Sequence, residues 1–197
     1  MSAVRQLHSK SDSGTIGVDQ ELFEVVKERS YRRGRFTLSS GAISDHYFDL
    51  KTTMMSPHGN WLAAEAFLNR ISIAGIELIG GLEMGAVPII GAVAALSYKE
   101  ERPVGTFFVR KRSKEHGTQK LVEGLTEGET LRGKRLWIVD DVATKGGSIM
   151  QAVDAVRSEG AIVDTALVLL DREEGAEAFL QERGVRLTSV LRASQFL

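Results

Sequence analysis

The chain of 197 residues has no cysteine, which excludes disulfides, thiolate metal sites and a cysteine nucleophile. No apolar run reaches the roughly 18 residues that a membrane-spanning helix requires. A surplus of one charge is also lacking. Twenty-five basic residues face 26 acidic ones, for a formal net charge of -1, so nothing global points to nucleic acid or an anionic membrane. Residues 1–17 are polar and rich in Ser and Gly, without the apolar core of a signal peptide. They are expected to form a flexible amino-terminal tail. There is no internal repeat and no low-complexity segment. The chain is 43% hydrophobic and 26% charged, the balance of a globular protein, and long enough to bury a core without covalent staples. One domain over residues 18–197 is the expectation.

Helix and strand signals alternate from about residue 56 onward. Asp19 is expected to cap a helix carrying Leu22, Phe23 and Val26 and ending near Tyr31. Ser56-Pro57 is a strong helix start, a capping hydroxyl followed by proline at the first helical position. Leu62, Ala66, Phe67 and Ile71 then fall on one face, and Gly75 stops the helix. A short strand over residues 76–79 is expected to turn at Gly80-Gly81. A helix over 88–97, a strand over 104–109 and a polar stretch over 110–128 follow. Next come a strand over 136–139, a helix over 147–159 stopped by Gly160, a strand over 166–170, a helix over 176–183 and a strand over 185–191. This alternation argues an α/β fold with a mostly parallel sheet flanked by helices. Residues 36–50 fit that pattern poorly and read as a Ser/Gly turn and a strand in a small amino-terminal hood.

The most informative segment begins at Leu136. The apolar run Leu136-Trp137-Ile138-Val139 stops at Asp140-Asp141. Val142-Ala143-Thr144-Lys145-Gly146-Gly147-Ser148 follow, and Ile149, Val153 and Val156 then recur at helical spacing. In open parallel sheets, ligands sit at the carboxyl ends of strands. The two glycines let the backbone approach a ligand closely. The helix start offers free N–H groups and the positive end of its dipole, an anion site. Thr144 and Ser148 add hydroxyls and Lys145 adds charge. Adjacent carboxylates would repel a phosphate, but they accept hydrogen bonds well from vicinal hydroxyls. A sugar that carries a phosphate satisfies both halves. The alternative, an Asp cap and a Gly-Gly bend, accounts for a single residue or a pair but not for the whole run. The pattern is neither G-x-G-x-x-G nor G-x-x-x-x-G-K-[ST].

Arg110-Lys111-Arg112-Ser113-Lys114-Glu115-His116-Gly117-Thr118 follows an apolar strand. It reads either as a solvated surface loop or as a mobile cationic lid that clamps a polyphosphate. Beside the Asp-Asp turn, the lid is the better reading. His8, His46 and His58 form no metal-ligand spacing. Trp61 and Trp137 are expected in the core, and Met54 and Met55 are expected to pack near a helix start.

VRKRSKEHGT followed by VDDVATKGGS resembles the type I phosphoribosyltransferases and, within them, the orotate branch. FTLSSGAIS resembles that family's amino-terminal substrate loop and GGLEMGAVP its diphosphate-contacting loop. LLDREEGAEAFL resembles the segment that carries its orotate-contacting arginine, here Arg172. Many relatives have a lysine in the diphosphate loop, where Glu83-Met84-Gly85-Ala86 has none, and backbone N–H groups around Gly85 remain to make that contact. Ser39 stands where some relatives place a lysine.

The resemblance implies the type I phosphoribosyltransferase fold, with a hood and a mobile lid loop. It implies transfer of ribose 5-phosphate from phosphoribosyl diphosphate (PRPP) to orotate, giving orotidine 5′-phosphate and diphosphate in pyrimidine nucleotide (UMP) biosynthesis. Mg²⁺ enters with PRPP, and no metal is expected on protein ligands alone. The implied catalytic residues are Lys111, Lys114, His116, Asp140 and Asp141. PRPP contacts extend to Arg110 and to Val142, Ala143, Thr144, Lys145, Gly146, Gly147 and Ser148. Orotate contacts fall to Thr144 and Arg172. A cytoplasmic homodimer is implied, the lid of each subunit covering its neighbour's site, with no nucleic acid or membrane partner. Three other readings remain open at this point: a purine-base relative that uses the same turn, a regulator that senses PRPP, and an unspecific nucleotide-binding fold. Balanced charge and the intact lid weigh against the regulator.

Overall fold

In the computed structural model, residues 14–37, 43–112 and 121–197 are described. Lys114 and His116 therefore lie outside the described residues, as does Ser39. Helix α1 spans Gly14–Arg29, and an antiparallel hairpin of β1 (Tyr31–Thr37) and β2 (Ile43–Phe48) follows. Then come α2 (Lys51–Met54), α3 (Pro57–Ile73), β3 (Leu78–Leu82), α4 (Val87–Lys99), β4 (Gly105–Val109) and β5 (Val122–Glu123). The chain finishes with β6 (Trp137–Ala143), α5 (Gly147–Ser158), β7 (Thr165–Asp171), α6 (Ala176–Gln181), β8 (Arg186–Arg192) and a 3₁₀ turn, Ala193–Phe196.

The six-stranded sheet has the order β5-β4-β3-β6-β7-β8 and is parallel except at β5. Chain direction across the sheet reverses between β3 and β6, which opens a crevice at their carboxyl ends. Alternate residues of β6 feed two cores. Trp137 and Val139 pack with Leu62, Phe67, Ile89 and Val93 of α3 and α4. Ile138, with Leu136 just before the strand, packs with Ile149, Val153 and Val156 of α5. A sheet buried on both faces needs this unbroken apolar composition.

The α3 start is as expected: Ser56 Oγ accepts the Gly59 N–H at 3.2 Å, and Leu62, Ala66, Phe67 and Ile71 are fully buried. Gly75 ends it in the left-handed region at φ +65°. The bonds Ile76 N–H to Ile71 O and Gly75 N–H to Ser72 O form a Schellman closure, which favours glycine at that position.

Several local expectations are corrected. Asp19 lies inside α1 rather than at its cap. Its carboxylate receives Arg70 of α3 at 2.7 and 3.2 Å, so it ties two helices together. The helix ends at Arg29, and Tyr31 starts a strand. Gly80-Gly81 do not turn but lie inside β3. A Cβ at 80 would run into the Phe107 ring and one at 81 into the Val139 carbonyl, so close packing is what requires glycine there. β6 continues past Val139 to Ala143, because β7 supplies hydrogen-bond partners for Asp140, Val142 and Ala143. The polar stretch after Val109 contains β5, a short antiparallel edge. Trp61 is 43% and Met55 74% exposed, whereas Trp137 and Met54 are buried. Trp61 precedes the inward-facing Leu62 and so points away from the core.

The hairpin is the expected hood. Tyr31 packs tilted and Phe48 edge-on against Phe196 at ring distances of 5.6 and 5.2 Å, and Phe23 of α1 meets Phe196 at 4.6 Å. Aromatic contacts of this kind anchor the hood to both ends of the described chain.

Candidate active site

The crevice between β3 and β6 is floored by two carboxylates. Asp140 and Asp141 are 5% and 7% exposed. Asp140 accepts the Asp141 N–H at 3.0 Å and the Ser148 hydroxyl at 3.1 Å. Burial, and then the charge of Asp141, push the Asp140 carboxyl up to about 7. Burial also raises Asp141, while its hydrogen bond with Asp140 and then the positive charge of Lys51 oppose that rise. Two desolvated neighbouring carboxylates disfavour full ionisation, and hydroxyl donors or a cation relieve them.

Gly85, in the loop after β3, lies directly against this pair. A Cβ there would be 2.5 Å from Asp140 Oδ1 and 2.6 Å from Asp141 Oδ1. At the other side stands the turn into α5. Gly146, at φ +82°, caps the helix in the left-handed region, and Gly147 is exposed with open space where a side chain would project. The first N–H groups of a 12-residue helix therefore face an accessible surface beside the carboxylates. Val142, Ala143 and Thr144 lead into that turn, and Ala143 is buried.

Arg172, the first residue after β7, donates its N–H to the Ala143 carbonyl at 2.9 Å, which brings the two segments together. Its Nη2 sits 2.7 Å from Glu174 Oε1. Lys145 is not turned toward the glycines: its Nζ donates to the Glu174 carbonyl at 2.7 Å. Arg110 leans toward Glu123 at 3.9 Å and donates Nε to the Arg112 carbonyl at 3.4 Å. The Lys111 main chain is held from two elements. Its N–H donates to Glu83 Oε1 at 2.9 Å, and its carbonyl accepts Gln151 Nε2 at 3.0 Å. The structure thus unites Asp140, Asp141, Ser148 and the α5 start, sets Arg172 beside them, and directs Lys145 elsewhere.

Sequence reasoning missed four contributors. Lys51 carries no motif of its own. Glu83 and Gln151 act on a main-chain group, which composition does not reveal. Glu174 acts through Arg172, two residues before it. Gly85 was legible only as part of GGLEMGAVP. Among the described residues, no cluster of three or more His, Asp or Glu side chains is arranged to hold a metal ion.

A model of the phosphoribosyl transferase domain matches residues 61–181. The orotate phosphoribosyltransferase of Bradyrhizobium diazoefficiens is 49% identical over 176 residues, 89% of this chain and 94% of that protein. That of Methanopyrus kandleri is 43% identical over 175 residues, covering 88% of this chain and 89% of its own. Among solved structures, Mycobacterium tuberculosis H37Rv orotate phosphoribosyltransferase in complex with PRPP superposes with a TM-score of 0.74 at 30% identity, over 91% of this chain and 98% of that one. The sheet order, the crevice with its paired carboxylates and these likenesses agree: the chain belongs to the orotate phosphoribosyltransferase family and has the type I phosphoribosyltransferase fold.

Proposed function

We infer that the protein transfers the 5-phosphoribosyl group of PRPP to orotate, a pentosyl transfer in pyrimidine biosynthesis. The C1–O bond to diphosphate breaks, a C1–N bond to the base forms, and diphosphate leaves. The carrying observation is the buried pair Asp140-Asp141 packed between Gly85 and the start of α5. Their carboxylates accept hydrogen bonds from the ribose hydroxyls, while the N–H groups and hydroxyls over residues 144–148 take the 5-phosphate. As the diphosphate departs, negative charge grows on it and positive charge on the ribose ring. Backbone N–H groups around Gly85 and the cations Arg110, Lys111 and Lys114, with His116, meet the former. The ionised carboxylates beneath the ring lessen the cost of the latter. Lid residues exclude water from the ring cation. Orotate enters as an anion, and Arg172 with Thr144 receives it.

Mg²⁺ belongs to the substrate in this reading. Magnesium keeps several waters and binds through phosphates with one or two carboxylates, and desolvated Asp140 and Asp141 suit such a complex. It supplies neutralisation of the diphosphate. We extend the reading to a single domain over residues 18–197, whose first helix reaches back to Gly14, following a tail, to a cytoplasmic homodimer whose lids act on the neighbouring sites, and to no nucleic-acid or membrane partner.

The test is base-dependent diphosphate release from Mg²⁺-PRPP with orotate, adenine, hypoxanthine and xanthine. Turnover with orotate alone is expected. Absence of orotate turnover, or a preference for a purine, overturns the reading.

A further inference from the structure

Arg172 is an enclosed cation beside the crevice. Its side chain is 9% exposed, and the 2.7 Å pairing with Glu174 engages one end of the guanidinium. Its Nε is buried without a hydrogen-bond partner among the described residues. A buried guanidinium with an unmet donor is an incomplete anion site, because the planar fork favours two parallel bonds to one carboxylate.

The backbone around this pair is pinned. Arg172 N–H bonds to Ala143 O, and Glu173 N–H bonds to Asp171 Oδ1 at 2.9 Å. Glu173 Oε2 accepts the Ser194 N–H at 2.7 Å, and Lys145 holds the Glu174 carbonyl. What stays adjustable is the Glu174 side chain, 30% exposed and so with a path to solvent.

Resting on the assignment of Arg172 to the orotate carboxylate, we propose that Glu174 is a specificity-determining residue whose carboxylate competes with that of the substrate for the Arg172 guanidinium. Before the base arrives, Glu174 spares the enclosed guanidinium from standing unpaired, which is costly. An incoming carboxylate must displace it, so only a ligand that makes the better bidentate contact gains. A pyrimidine without a carboxylate leaves the Glu174 pair intact and gains nothing from Arg172. Residue 174 thereby sets how much affinity the substrate's carboxylate contributes.

The experiment compares dissociation constants of orotidine 5′-phosphate and uridine 5′-phosphate, which differ only in that carboxylate, for the full chain and its variants. Glu174→Gln should tighten orotidine 5′-phosphate about three- to fivefold and leave uridine 5′-phosphate within about twofold, the upper scale of one partly exposed ion pair. Glu174→Asp, which keeps the charge but shortens the reach, should tighten it in the same direction and serves if the Gln variant melts early. In an Arg172→Met background, Glu174→Gln should change neither constant. If Arg172→Met weakens only orotidine 5′-phosphate but both Glu174 variants weaken it or leave it unchanged, the competition is wrong while the Arg172 assignment stands. If Arg172→Met leaves the ratio of the two constants unaltered, the assignment itself falls, and the competition with it.

Discussion

Gly85 and Asp140 touch across the mouth of the crevice, the first from the loop after β3 and the second from β6. A single methyl group at residue 85 would lie 2.5 Å from Asp140 Oδ1, far inside van der Waals contact. Gly85→Ala must therefore move either the loop or the carboxylates. Overpacking of this kind typically costs about 1–3 kcal/mol. The expected outcome is a fall in kcat/KM for PRPP of about tenfold or more, with a modest loss in melting temperature. Steady-state kinetics beside thermal unfolding decide it, and unchanged kinetics would contradict the close packing.

Asp140 links stability to pH with a definite sign. Its carboxyl titrates near 3.8 in an unfolded chain and is pushed up to about 7 in the fold. Between those values the native state binds more protons than the unfolded state. The stability this group contributes is full below pH 3.8 and is lost as pH rises through 7. Asp140→Asn should therefore raise the melting temperature at pH 8, and by less at pH 5, while activity drops strongly. A variant less stable than the parent at pH 8 would refute the burial argument.

Ser148 donates to Asp140 Oδ2 at 3.1 Å, which favours the ionised form. Ser148→Ala removes that support and should push the Asp140 carboxyl further up. In the proposed site the ionised Asp140 is the better acceptor for the ribose hydroxyls, so the acidic limb of the kcat/KM profile for PRPP should move to higher pH. The pair titrates together, so the profile reports values for the pair. An unmoved limb, with only a uniform loss in rate, would assign Ser148 to phosphate alone.

The Lys111 main chain is clamped by Glu83 and Gln151. Both bonds are near the surface, so each contributes little to stability, on the order of 1 kcal/mol or less. Gln151→Leu and Glu83→Ala should each lower kcat several-fold with a near-parental melting temperature. Glu83→Gln, which keeps an acceptor for the Lys111 N–H, should restore most of the rate. The double variant should lose little more than the worse single one, since both act on one residue. Independent, additive losses would exclude a shared clamp.

Asp19 and Arg70 join α1 to α3 through two hydrogen bonds on partly buried side chains. Asp19→Asn should cost about 1.5–3 kcal/mol, the scale of a hydrogen bond to a charged group, and leave kcat/KM unaltered. Chemical denaturation measures the first and the orotate assay the second.

Local pattern carried much of the architecture. The Ser56-Pro57 start, the Gly75 stop and the α5 periodicity of Ile149, Val153 and Val156 were readable, because capping and helical spacing are properties of neighbours along the chain. The Asp-Asp turn was readable for the same reason: its carboxylates, glycines and helix start are contiguous. Gly80-Gly81 misled, since a glycine pair signals a turn locally, whereas here the Phe107 ring and the Val139 carbonyl demand it. Asp19 misled as a cap because its true partner, Arg70, is 51 residues away.

The run from Leu136 to Val156 by itself determined a strand that ends in two carboxylates, a glycine turn and a helix start, since these groups are contiguous in the chain. Only the tertiary structure decided what surrounds it. It set Gly85 against the carboxylates, turned Lys145 away to the Glu174 carbonyl, and paired Arg172 with Glu174. Those relationships depend on β3, β6 and β7 lying side by side, and backbone hydrogen bonding between distant segments fixes that order while leaving no mark at any one residue.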